Sequence, residues 1–225
     1  MCGIDVIEFF INNIRIEEFK GKRILEVGSK YVNGSVRPLI ERFCYQKEYV
    51  GVDIEAGKFV DIVLPAEKLV EYFGSKSFDV VISTELLEHI QDWRLIISNM
   101  KDVLKHGGYI YITTRSYGFP YHAYPYDFWR YEIEDMKRIF SDFNIIKLIK
   151  KVHGIFLKAK KPYFDSHIDL SNIALYSMII GRRTFSIPKI VDMPLRKKLV
   201  LRLLNSKTKW LLPNLVNRFL EKSVM

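Results

Sequence analysis

The residues best placed to do chemistry are a glycine turn and the acids around it. An apolar run, Arg23-Ile24-Leu25-Glu26-Val27, enters Gly28-Ser29-Lys30-Tyr31-Val32-Asn33-Gly34. Gly28 lets the chain turn sharply and lets a ligand approach the backbone, and Gly34 leaves room at the start of the next helix. Farther on, Gly51-Val52-Asp53 ends a second apolar run. A carboxylate at such a strand end can accept both hydroxyls of a ribose. Position 30 bears on which ligand carries that ribose. The dinucleotide pattern G-x-G-x-x-G needs glycine there, and Lys30 stands against the close approach of a pyrophosphate. A third loop, Leu64-Pro65-Ala66-Glu67-Lys68-Leu69, reads two ways. It flanks an adenine ring and offers it a backbone N–H, or it is only a proline-initiated helix.

The acceptor side of a reaction has its own candidates. Residues 117–131 hold Tyr117, Phe119, Tyr121, Tyr124, Tyr126, Phe128, Trp129 and Tyr131. They are expected either as a lid or acceptor wall or as a packed shield for the sheet. His89 and His122 are candidate bases, since imidazole titrates near neutrality; each is equally readable as a structural histidine. Asp127 and Arg130 either orient an acceptor or pair with each other. Arg115, just past a strand, suits an anionic group. The five histidines, His89, His106, His122, His153 and His167, show no zinc-ligand spacing to one another or to Cys2 and Cys44. No metal is therefore expected.

These side chains need a scaffold. Residues 5–19 place Val6, Phe9, Phe10, Ile14 and Phe19 at helical spacing. Strands are expected at 23–27, 48–53, 60–64, 77–83 and 109–114, with helices at 35–45, 65–73 and 92–104 between them. Asp92 caps the last of these helices, and Gly107-Gly108 closes it. Strands alternating with helices at this rhythm imply a parallel sheet covered on both faces. A helix at 132–140 and two further strands at 144–150 and 153–159 follow. Ligands in such sheets bind beyond the carboxyl ends of the strands, which is where the glycine turn and Asp53 fall.

In order and spacing, several segments together resemble the class I methyltransferase family, near its type 11 small-molecule branch. They are Ile24-Leu25-Glu26-Val27-Gly28, Gly51-Val52-Asp53-Ile54, Ala66-Glu67-Lys68-Leu69, Ser77 through Ile90, and Leu104-Lys105-His106-Gly107-Gly108-Tyr109-Ile110. The resemblance covers about residues 23–143. It implies a Rossmann-like, doubly wound α/β fold with a mostly parallel seven-stranded sheet whose last strand is antiparallel. It implies S-adenosylmethionine as cofactor, a ligand without a phosphate for the turn to cradle. Glu26 and Gly28 would lie near its methionine part, Asp53 at the ribose, Ala66 and Glu67 beside adenine, and Thr84 and Glu85 at the methyl group. Ser29, Gly34 and Ile54 are counted with these contacts. Two departures stand out: Pro65 replaces a common acid, and the glycine turn is longer, with Tyr31 and Asn33 inserted. Pro125-Tyr126-Asp127-Phe128-Trp129-Arg130-Tyr131 resembles a segment of family members associated with carbohydrate modification. That points to a small-molecule, glycan or lipid-linked acceptor.

The 225 residues carry a net charge of +9. It is unevenly spread: residues 1–146 hold 18 Lys+Arg and 22 Asp+Glu, whereas residues 147–225 hold 17 and 4. The expected division is a cofactor-binding domain over 1–160 and a basic, helical C-terminal extension over 161–225. The extension is either a solvated surface or a grip on an acidic partner, an anionic membrane surface before nucleic acid. Two cysteines, an acidic start and no long apolar span read as a cytoplasmic chain, at most peripheral to a membrane. The alternatives are an RNA methyltransferase that uses the basic segment, a non-catalytic membrane-associated cofactor-binding protein and, more weakly, an NAD-dependent oxidoreductase.

Overall fold

A computed structural model describes residues 3–164 and 168–205, with side chains through Leu201. The expected strands form β1 (Arg23–Val27), β2 (Glu48–Asp53), β3 (Ile62–Val63), β4 (Phe78–Thr84), β5 (Leu104–Arg115), β7 (Asn144–Lys151) and β8 (Gly154–Lys160); a short β6 (Trp129–Arg130) lies outside the main sheet. The main sheet has the order β3-β2-β1-β4-β5-β8-β7. Its neighbours are parallel from β3 to β5, and β8 runs antiparallel to both β5 and β7. The last strand in chain order is thus the reversed one, as expected. The chain leaves β1 toward β2 on one side and returns to β4 on the other. A crevice therefore opens at the carboxyl ends of β1 and β4.

Alternation along the strands divides the core into two layers. Leu25, Val81, Ile110, Ile112 and Leu157 face one side, where they pack with Trp93, Ile96 and Met100 of α5 (Trp93–Val103). Ile24, Val80, Ile82, Tyr111 and Phe156 face the other, against α1 (Ile4–Asn13), α2 (Ile16–Phe19) and α3 (Arg37–Phe43). The leading helix expected over 5–19 is broken. Ile14 and Arg15 are extended, and Lys158 Nζ donates to the Asn13 carbonyl at 2.8 Å, taking up one of the helix's last carbonyls. Asp92 caps α5 by accepting from the Leu95 N–H at 3.2 Å, as expected. That helix passes straight into β5 at Leu104, before Gly107, and the added strand residues bulge against β4. The remaining helices are α4 (Leu69–Phe73), α6 (Ile133–Ile139) and α7 (Leu195–Asn205).

Residues 161–225, expected as a separate helical extension, reach α7 by way of strands. β9 (Leu175–Ser177) and β10 (Arg182–Thr184) form a hairpin that adds to β6, so Trp129 pairs with Ser177. Leu170, Ile173, Leu175, Ile179, Met193 and Leu201 join the same core layer as α5, so the core runs across residue 160. Several basic side chains of residues 147–225 meet acids of residues 1–146. Lys150 pairs with Glu132, Lys151 with Glu8, Lys158 with Glu18, and Arg183 with Asp135. The remainder of the expected basic tail, 206–225, lies outside the described residues. Among the described residues no helix is long and apolar enough to cross a membrane.

Candidate active site

The carboxyl ends of β1, β2, β4 and β5 border a cleft of about 440 Å³, within the range of small-molecule sites. At the end of β1, Gly28 has φ +80°, a left-handed conformation that favours glycine. The N–H groups of Gly28 and Ser29 both donate to the Val52 carbonyl (2.9 and 3.0 Å), which ties the turn to β2. Ser29 Oγ is buried without a hydrogen-bond partner. Glu26 is buried beneath the turn, and the Tyr49 hydroxyl donates to it at 2.8 Å. Burial pushes its carboxyl up to about 7 against the opposing Tyr49 bond.

At the end of β2, Asp53 accepts from the backbone N–H groups of Lys30 (3.1 Å) and Glu55 (3.2 Å). Its carboxylate is thereby fixed at the cleft, next to the exposed Ile54. The Lys30 side chain pairs with Glu55. At the end of β4, Thr84 is buried and Glu85 is held at φ +54°. Arg115 Nε lies 2.5 Å from Glu85 Oε2 without the alignment of a hydrogen bond. Burial raises the Glu85 carboxyl to about 7; neighbouring Glu88 adds to the rise and Arg115 opposes it. Arg115 also stacks on Phe119, 4.2 Å from the ring centre.

The structure brings Glu26, Gly28, Ser29, Gly34, Asp53, Ile54, Thr84, Glu85, His89 and His122 to this one cleft. It does not bring Ala66, Glu67 or Asp127. The carbonyls of Ala66 and Glu67 accept from Asn99 Nδ2 of α5 (3.0 and 2.9 Å), which turns that loop toward the helix. Asp127 is fully buried behind the cleft, where Arg130 grips it through two bonds of 2.5 and 2.8 Å. Burial alone would raise its carboxyl; the bonds from Arg130 and His122 overcome that and hold it well below the usual carboxylate range. Its Oδ2 also lies 3.0 Å from His122 Nδ1. Of the aromatic segment, Tyr126 lines the cleft, whereas Phe128, Trp129 and Tyr131 are core.

Glu88, which matches no local sequence motif for a site, lines the cleft and is fully buried. Its signal was an acid inside the apolar run Leu86-Leu87-Glu88, three residues after Glu85. Among the lining residues Glu26, Asp53, Glu55, Glu85 and Glu88 face only Lys30 and Arg115 as cations. Such a cleft suits a ligand with a ribose and net positive charge. S-adenosylmethionine, with its ribose, sulfonium and ammonium, fits that donor set, and a pyrophosphate does not.

Comparison with known proteins agrees with this reading. A model of the methyltransferase domain family matches residues 5–152. A sequence search of curated proteins finds no match. The fold is shared with an S-adenosylmethionine-dependent methyltransferase from Mesorhizobium loti (TM-score 0.54, 14% identity, 71% of this chain and 98% of that one). It is shared with 1,6-didemethyltoxoflavin-N1-methyltransferase of Burkholderia thailandensis, solved with S-adenosylhomocysteine (0.52, 12%, 64% and 72%). It is also shared with phosphoethanolamine N-methyltransferase 2 of Haemonchus contortus, solved with S-adenosyl-L-methionine (0.53, 17%, 71% and 53%). With the family match spanning more than half of its length, the chain belongs to the class I, S-adenosylmethionine-dependent methyltransferases.

Proposed function

We propose that this chain methylates a small-molecule, glycan or lipid-linked acceptor that enters at the His89–His122–Tyr126 end of the cleft. The observation that carries the reading is the acid-lined cleft at the carboxyl ends of β1, β2 and β4. S-adenosylmethionine supplies an electrophilic methyl group on a sulfonium. Asp53, already fixed by two backbone donors, accepts from the ribose hydroxyls. Glu26 and Glu85 balance positive charge in a buried setting, where such balance is strongest. The acceptor is positioned against Tyr126 and the two histidines, so the reacting groups meet in line and water is displaced.

The partners found for Lys150, Lys151, Lys158 and Arg183 support an internal, structural role for part of the basic bias. That favours a compact acceptor over RNA. Calorimetry with S-adenosylmethionine, and separately with NAD, tests the reading. Binding of the first alone is expected; binding of NAD alone would overturn it. Transfer of labelled methyl to hydroxyl-bearing sugars and lipid-linked saccharides, and not to RNA, is the expected result for the acceptor.

A further inference from the structure

Glu88, His89 and His122 each offer one ligand atom on the cleft wall, and these atoms lie within 4.8 Å of one another. Their second atoms fix the protonation of the rings. His89 Nδ1 lies 2.6 Å from the Tyr126 carbonyl, which can only accept, so Nδ1 carries the proton. His122 Nδ1 lies 3.0 Å from Asp127 Oδ2, in a carboxylate that Arg130 holds through both oxygens, so there too Nδ1 is the donor. With Nδ1 donating, Nε2 is the nitrogen each ring has to offer a ligand, and the two Nε2 atoms face each other at 3.2 Å. Two lone pairs at that distance repel unless an electrophile lies between them.

A proton or a metal ion meets that need, and Glu88 decides between them. Its Oε2 accepts from Thr114 Oγ1 at 2.9 Å. Its Oε1, 3.9 Å from both His89 Nε2 and Arg115 Nε, is buried with no hydrogen-bond partner. A shared proton satisfies the two nitrogens and leaves Oε1 without a hydrogen bond, facing Arg115 only at 3.9 Å, which is costly in a buried setting. A divalent cation satisfies all three donors. Two nitrogens bound at ~2.1 Å to one tetrahedral ion stand about 3.4 Å apart, close to the spacing here. A set of two imidazoles and one carboxylate selects zinc-class ions over magnesium or calcium, which take oxygen sets. Ring N–H groups anchored on a carbonyl and a carboxylate are the outer support that metal-binding histidines require.

We propose that Glu88 Oε1, His89 Nε2 and His122 Nε2 bind one zinc-class divalent cation, with its open coordination position turned to the cleft. Three protein donors leave a fourth position free, the arrangement of reactive rather than structural zinc sites. The ion then faces the acceptor end beside Tyr126; that assignment rests on the methyltransferase reading, whereas ion binding does not.

The test uses the untagged full chain, stripped with a chelator, without cofactor or acceptor. Titration with Co²⁺ is expected to give visible absorption bands that saturate at one ion per chain, and calorimetry with Zn²⁺ the same stoichiometry. His89→Ala and His122→Ala should each weaken binding by about 100-fold or more, and Glu88→Gln by at least about 10-fold. In the unsubstituted protein, ¹⁵N NMR should show both Nε2 resonances moving on Zn²⁺ addition, a readout that needs no variant to fold. Absence of saturable Co²⁺ binding, or unmoved Nε2 resonances, would overturn the site in favour of a shared proton. Because S-adenosylmethionine takes no part, failure here leaves the methyltransferase reading intact, and failure of cofactor binding leaves the ion site intact.

Discussion

Arg130 and Asp127 form a fully buried bidentate pair, with Nη1–Oδ1 at 2.5 Å and Nη2–Oδ2 at 2.8 Å, three residues apart on one turn. The remaining guanidinium N–H groups reach the carbonyls of Phe119, Pro120 and Trp129. Asp127→Ala strands a buried cation and should destabilise by about 3–5 kcal/mol. Asp127→Ala combined with Arg130→Leu should cost less than Asp127→Ala alone, because nothing charged is left unpaired. Since the folded carboxyl sits below its unfolded value, the pair stabilises above about pH 4 and loses that contribution as pH falls through the folded value. Urea denaturation at neutral and acid pH measures both effects.

Residues 117–131 divide into wall and core, and the two kinds should respond differently to truncation. Trp129 is fully buried and its Nε1 donates to the Gln91 carbonyl at 3.0 Å. Trp129→Ala should cost about 3–5 kcal/mol. Tyr126 is 62% exposed on the cleft rim, so Tyr126→Ala should leave stability within about 0.5 kcal/mol and raise the KM for the acceptor. Equal destabilisation by both would remove Tyr126 from the wall.

This division shows where the sequence was legible. Strand and helix periodicity exposed the sheet, and the Gly28 turn and Asp53 marked one end of the cleft, because both signals are local. The composition of the aromatic segment could not separate Tyr126 from Trp129. That depends on β9, which arrives from Leu175–Ser177 and buries one side of β6. Ala66 and Glu67 fell outside the cleft for a similar reason, since Asn99 stands more than thirty residues away in the chain. The pairing of His89 with His122 was equally invisible, because their 33-residue separation matches no local motif and only the fold brings them together.

Asp53→Ala should weaken S-adenosylmethionine binding by about 10- to 100-fold, the equivalent of a lost hydrogen bond to a charged group or two. Asp53→Asn keeps an acceptor for only one of the Lys30 and Glu55 N–H groups, which bond to different carboxylate oxygens, and should fall between that variant and the unsubstituted protein. Calorimetry reads both. Unchanged affinity in Asp53→Ala would take this residue out of the ribose contact.

Glu26 ties stability to pH and to cofactor binding at once. Its carboxyl is raised from 4.5 to about 7, chiefly by burial. Between those values the unfolded chain gives up a proton that the fold keeps. Stability contributed by Glu26 therefore falls as pH rises from about 4.5 to about 7, by on the order of 3 kcal/mol, and then levels off. Glu26→Gln should flatten that part of the profile, because the amide oxygen still accepts from Tyr49 and carries no charge. A cation in the cleft favours the ionised carboxylate, so S-adenosylmethionine should release a proton on binding at pH 6. Calorimetry at that pH in two buffers of different ionisation enthalpy measures the release, which Glu26→Gln should reduce. An unaltered profile and an unaltered proton count in the variant would place the charge balance elsewhere, at Glu85, whose carboxyl is also raised to about 7.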